Sequence, residues 1–250
     1  MSLAIKLLLS PLLVAQAART RARSPELPEA AGPRTGVLGA GPRLRLLIVG
    51  DSSAAGVGVP TQDEALAGHL TRTLAQQAGA RVHWQLVART GVTTAQALRL
   101  VREQRPAQAD FAVVVLGVND VVNQVPSRRA VAQRAALADW LLAEAGVMHV
   151  VFAPLPPMHQ FPLLPQPLRW VAGSDARRHD ATMARWAAER EDVSHVPIAM
   201  SLARETMAGD GFHPGEPVYR VCGEALAAFI ASELWPSFHA TTYLSSGDDT

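Results

Sequence analysis

The sequence contains one cysteine, Cys222, and one lysine, Lys6, and each scarcity removes a class of chemistry. A lone cysteine forbids an internal disulfide, and no Cys/His cluster has the spacing of a zinc site such as C-x-x-C or H-E-x-x-H. Chemistry without metal or cofactor is the expectation. The other basic residues are all arginine, and Lys6 precedes any foldable core. Walker A phosphate binding, Schiff-base chemistry and a Ser-Lys dyad each lack the lysine they need. An excess of one charge is also missing: 23 basic against 22 acidic residues give a formal net charge of +1, which argues against a nucleic-acid partner.

A long hydrophobic run is absent too. Leu3 to Val14 is apolar but interrupted by Lys6 and Pro11, and falls well short of the ~20 residues that span a bilayer. Two readings of this segment stay open. Lys6, the run Leu7 to Val14 and the small-residue site Ala15-Gln16-Ala17 resemble a secretory signal, which would make the protein periplasmic or secreted. Arg19, Arg21 and Arg23 follow at once, as in an amphipathic segment lying on a membrane surface or on the domain itself, in a cytoplasmic or membrane-peripheral protein.

What remains is the composition of a globular chain, 48% hydrophobic and 18% charged, long enough for one domain with a full core. Residues 1–42 read as the apolar and basic segment followed by a Pro/Gly/Ala-rich linker. Residues 43–235 read as the domain, and 236–250 as a flexible tail. Within the domain, Arg43 to Gly50, Val82 to Val87, Phe111 to Val118, His149 to Ala153 and His195 to Ile198 have the apolar or alternating character of strands. Helical spacing marks Ala65 to Gln77, Thr94 to Gln104, Ser127 to Gly146, Asp175 to Arg190 and Pro217 to Leu234. Five strands alternating with helices predict an α/β, doubly wound, three-layer (flavodoxin-like) sandwich around a mostly parallel five-stranded sheet. Ligands of such sheets bind beyond the carboxyl ends of the strands.

The loops at those ends carry Gly50-Asp51-Ser52-Ser53, Thr90-Gly91, Gly117-Val118-Asn119-Asp120 and Asp210-Gly211-Phe212-His213. A serine hydroxyl becomes nucleophilic when an imidazole takes its proton, and the imidazole needs a carboxylate to fix its tautomer. Ser52, His213 and Asp210 supply those three groups, with acid and base three residues apart and able to share one turn. The backbone N–H groups of Ser52 and Gly91 and the amide of Asn119 are candidate donors to a tetrahedral oxyanion.

These four blocks, in this order, resemble those of the SGNH hydrolase superfamily, the GDSL-like esterases and lipases. The resemblance covers most of the domain and implies Ser52 as nucleophile, Asp210 and His213 as its partners, Gly91 and Asn119 in the oxyanion hole, and hydrolysis of carboxylic esters through an acyl-enzyme. It departs from the fuller motif at Ser53, which stands in place of leucine and is a second hydroxyl beside the first. The segment Arg-Thr-Gly-Val-Thr-Thr around Gly91 is less distinctive than the other blocks.

Asp51 reads as a loop residue satisfying local N–H groups. Gly56-Val57-Gly58 has the wrong spacing for a dinucleotide fingerprint. Of the other histidines only His159 lies in a loop after a strand end. That Pro-rich loop, with Met158, His159 and Phe161, is a candidate wall for a substrate pocket. A small acyl ester is the expected substrate, with a carbohydrate O-acetyl ester as the alternative. From a different class, the same fold could serve as a non-catalytic binding module.

Overall fold

Leu46 and Ile48 alternate with Leu47 and Val49 on one strand, and all four are fully buried. A strand apolar on both faces has to be covered on both. In the computed structural model, which describes residues 3–239 with side chains from residue 7, that strand (β2, Arg43–Gly50) pairs in parallel with β3 (Arg81–Ala88) and β4 (Phe111–Val115). Beyond β4 lie β5 (His149–Phe152) and β6 (Val193–His195), both parallel. Leu46 and Ile48 face the helices α3 (Leu66–Ala78) and α8 (Glu216–Phe229) in one core cluster. Leu47 and Val49 face α4 (Thr94–Gln104), α6 (Ser127–Glu144) and α7 (Leu168–Ala187) in the other.

The sheet has six strands, not five, in the order β1-β3-β2-β4-β5-β6. The additional strand, β1 (Thr35–Leu38), lies antiparallel on β3 at the edge of the sheet. It comes from the stretch expected to be linker. Its sequence, Thr-Gly-Val-Leu, is mostly exposed, so it lacks the apolar alternation by which a strand declares itself. The rest of that stretch is also fastened to the domain: Ala30 is buried, Ala31 bridges to Thr61, and Arg34 donates from Nη1 to the Ala88 carbonyl at 2.7 Å. At the other end the helical backbone continues through residue 239, with Phe238 packed edge-on against Phe111, ring centroids 5.4 Å apart. The remainder of the expected tail lies outside the described residues.

Because β2 has β3 on one side and β4 on the other, the chain leaves it in opposite directions on successive crossovers, and the crevice at this switch point opens beside its carboxyl end. The register aligns Gly50 with Ala88 on one neighbour and Val115 on the other. Whatever follows those three residues therefore emerges at one edge. The strand expected over Phe111 to Val118 stops at Val115, and Val118 instead opens a short helix, α5 (Val118–Val122), that is not among the expected helices.

Leu47, at the centre of this sheet, has no exposed surface, whereas Leu38 on β1 is 38% exposed. In urea unfolding, Leu47→Ala should cost about 3 kcal/mol and Leu38→Ala less than about 1 kcal/mol, since only the first leaves a cavity.

Candidate active site

At the end of β2 the chain turns directly into the four-residue helix α2 (Ser52–Ala55). Asp51 caps it, its Oδ1 accepting the Ser53 N–H at 3.0 Å. This turn lifts Ser52 to the edge of the sheet, where it is 7% exposed. From the far end of the chain, Gly215 precedes α8, and the loop before it carries Asp210 and His213. Tyr219 of α8 donates its hydroxyl hydrogen to the Val57 carbonyl at 2.6 Å, fastening the two ends of the sequence together just behind them.

The result is a continuous hydrogen-bonded chain. His213 Nε2 lies 3.1 Å from Ser52 Oγ, across 161 residues of sequence, and His213 Nδ1 lies 2.6 Å from Asp210 Oδ2. The other Asp210 oxygen accepts the backbone N–H groups of Phe212 and His213 at 2.9 and 3.0 Å. Burial raises the Asp210 pKa, but the hydrogen bonds from the His213 ring and the two amides outweigh it, and the carboxyl is held below its ordinary value. An ionised acid is thus fixed against the imidazole.

The expected oxyanion donors share this edge. Among the described residues the backbone N–H groups of Ser52 and Gly91 have no protein acceptor. Gly91 adopts φ +80°, a conformation that favours glycine, and open space lies where its Cβ would be. Its loop is held from an unexpected quarter: Glu29, in the supposed linker, accepts both the backbone N–H and the hydroxyl of Thr90, at 2.7 and 2.8 Å. The Asn119 amide donates to Asp51 Oδ2 at 3.2 Å and to the Val92 carbonyl at 3.1 Å. Both bonds lie at the long end of the ordinary N–H···O range.

Behind Asn119 sits a buried ion pair. Arg134, fully enclosed, places Nη2 3.3 Å from Asp120 Oδ2, and Asp120 also accepts the Thr94 N–H at 3.0 Å and the Thr94 hydroxyl at 2.6 Å. Gly117 makes room for it: with φ +136°, its Cβ would lie 2.4 Å from Arg134 Nη2. Arg134 Nε and Nη1 have no partner. Burial lowers the guanidinium's pKa, opposed by Asp120, Asp180 and Asp51. Neither Arg134 nor Thr94 is visible as a site residue in the sequence, because each lies on an ordinary helix.

The pocket loop divides three ways. Phe161 lines a narrow slot of about 70 Å³ together with Ser52, His213, Leu202 and Phe212, and meets Phe212 edge-on at 5.1 Å. Met158 does not line that slot. It is 1% exposed within the core, because the turn at Met158–Gln160 directs it inward. His159 is exposed, with Nδ1 3.4 Å from Arg177, and also stands outside the slot. Cys222 lines it instead, and burial pushes its thiol up to about 12, so it acts as an apolar wall.

Residues 48–221 match the GDSL-like lipase/acylhydrolase family. The chain belongs to that family. Its members are hydrolases acting on esters, and this chain is accordingly an ester hydrolase. A GDSL-like esterase of Mycobacterium tuberculosis is 29% identical over 86% of this chain and 74% of its own length. The fold is shared with a lipase from a goat rumen metagenome (16% identity, 76% of this chain and 97% of that one, TM-score 0.61). It is shared also with a family 3 carbohydrate esterase of Clostridium thermocellum (16% identity, 78% and 98%, TM-score 0.60).

Asp51 gives this site a measurable signature. Burial pushes its carboxyl up to about 6, against the Ser53 N–H and His213. An acid whose folded pKa is raised binds more protons folded than unfolded between about 4 and 6, so its contribution to stability falls as pH rises through that window. Asp51→Asn should therefore be more stable than the parent at pH 7.5 by up to about 3 kcal/mol, and no more stable at pH 3.5. The same variant should lose about tenfold in kcat, one charge-assisted hydrogen bond at Asn119 being worth about 1.5 kcal/mol. Thermal melts at the two pH values and steady-state kinetics check both halves.

Proposed function

We propose that the chain is a serine esterase of the SGNH type, with Ser52 as nucleophile, His213 as general base and then general acid, and Asp210 as the group that orients the imidazole. The observation that carries this reading is the single imidazole joining Ser52 Oγ at 3.1 Å to a buried carboxylate at 2.6 Å. His213 Nε2 takes the hydroxyl proton as Oγ attacks the ester carbonyl, and Asp210 stabilises the imidazolium. The N–H groups of Ser52 and Gly91 and the Asn119 amide donate to the oxyanion. Collapse of the tetrahedral intermediate breaks the ester C–O bond, and the alcohol leaves with the proton from His213. A water molecule, deprotonated by the same imidazole, then releases the acid from Ser52.

The slot beside Ser52 is narrow and lined by Phe161, Met200, Leu202, Met207, Phe212 and Leu226. Its apolar lining favours the acyl part of a simple ester over a sugar ring, and its size favours a short acyl group. A carbohydrate O-acetyl ester is the competing substrate, since an acetyl group fits the same slot; turnover of a p-nitrophenyl ester series beside an acetylated saccharide separates the two.

Ser52→Ala should abolish hydrolysis of p-nitrophenyl acetate. Asn119→Ala should lower kcat by about 100 to 1000-fold with a much smaller change in KM, the usual scale for one oxyanion donor. A rise in KM with kcat unchanged would instead make Asn119 a group that binds ground state and transition state alike.

A further inference from the structure

The helix α1 (Leu3–Arg23) is turned the wrong way round for a helix facing water. Leu9, Leu13, Gln16 and Thr20, spaced by four, three and four residues, are its half-buried positions, so this face rests on the domain. Gln16 fixes it there, donating from Nε2 to the Gln166 carbonyl at 2.7 Å and accepting the Leu168 N–H at 3.2 Å. The opposite face holds Leu7, Leu8, Leu12 and Val14, which are 64%, 81%, 47% and 68% exposed, with Ala15 and Ala18 between and beyond them. At 3.6 residues per turn these positions cover roughly 160° of the cylinder. An outward face of a soluble protein is ordinarily its polar one.

Charge says what covers this face. Arg19, Arg21 and Arg23 follow the apolar stretch, and no acidic residue occurs before Glu26. Arg19 and Arg23, with Arg204 from the loop before Asp210, line a cleft of about 740 Å³ between α1 and the segment 207–211. Three guanidiniums around one cleft would oppose docking of a second copy of this same face and favour phosphate. No described helix is long and apolar enough to cross a membrane, and α1 contains Pro11.

We infer that α1 is an interfacial helix that lies on the surface of an anionic phospholipid bilayer, its leucines among the acyl chains and its arginines on the lipid phosphates. Trp170, 44% exposed two residues beyond the anchor at Leu168, offers a further amphipathic contact beside it. Because α1 faces the segment carrying Asp210 across this cleft, docking brings the active-site edge of the sheet to the lipid surface.

The test is flotation of the full chain with vesicles of phosphatidylcholine alone and of phosphatidylcholine mixed with phosphatidylglycerol. The parent protein and Ser52→Ala should float with the mixed vesicles only, so that binding is read independently of catalysis. High salt should weaken it. Leu8→Glu/Leu12→Glu should remain at the bottom of the gradient while hydrolysing p-nitrophenyl acetate at the parent rate. Replacing Arg19, Arg21 and Arg23 together by glutamine should lower partitioning about 100-fold, at about 1 kcal/mol for each basic residue near an anionic surface. The inference is overturned if the parent floats with neither vesicle, or if the leucine variant floats as the parent does. It is equally overturned by a concentration-dependent dimer that the leucine variant dissolves without any lipid binding.

Discussion

One hydrogen bond, between Ser52 Oγ and His213 Nε2, holds the functional account together. It joins residues from opposite ends of the domain, and every feature of the sheet that matters here serves to make it. The central position of β2 puts Ser52 at the switch point, the register of its neighbours brings the Gly91 loop and helix α5 with Asn119 to the same edge, and Tyr219 fastens α8 to the chain shortly after Ser52. The bond is useful because Asp210 behind it is buried yet ionised, satisfied by two backbone amides as well as by the imidazole. A carboxylate so held fixes a tautomer without competing for the proton.

The site is assembled at a cost to the fold. Asp51 is a carboxylate buried where water cannot reach it, retained beside the Asn119 amide. Arg134 and Asp120 form a fully enclosed ion pair in which two guanidinium nitrogens have no partner. Replacing such a pair by well-packed apolar groups is often neutral or stabilising. Both features lie against helix α5, which carries Asn119, and this is where local rules of stability are expected to give way to function.

The family blocks and the layers of the fold were legible in the sequence because they rest on strong local signals. Runs such as Phe111–Val115 are buried on both faces, and Asp210 with His213 are close in sequence as well as in space. The features that escaped have weak or non-local signals. β1 is exposed and carries two residues, Thr35 and Gly36, that look like loop. Glu29 sits between prolines in what reads as linker, and its bonds to Thr90 cross 61 residues. Arg134 is indistinguishable in sequence from the solvated arginines Arg128 and Arg129 of the same helix. Met158 and His159 were plausible pocket residues by position alone, and it is the direction of one short turn that puts Met158 in the core and leaves His159 in solvent.

Ser53 is the chemical rival that the geometry has to exclude, since it is the neighbouring hydroxyl and its own N–H is already spent on Asp51. The most direct test is to react the native protein with a fluorophosphonate, digest it and locate the adduct by tandem mass spectrometry. The account predicts a single modification on the Ser52 oxygen, absent when His213 is replaced by alanine. An adduct on Ser53, or one on Ser52 that forms equally fast without His213, would contradict it.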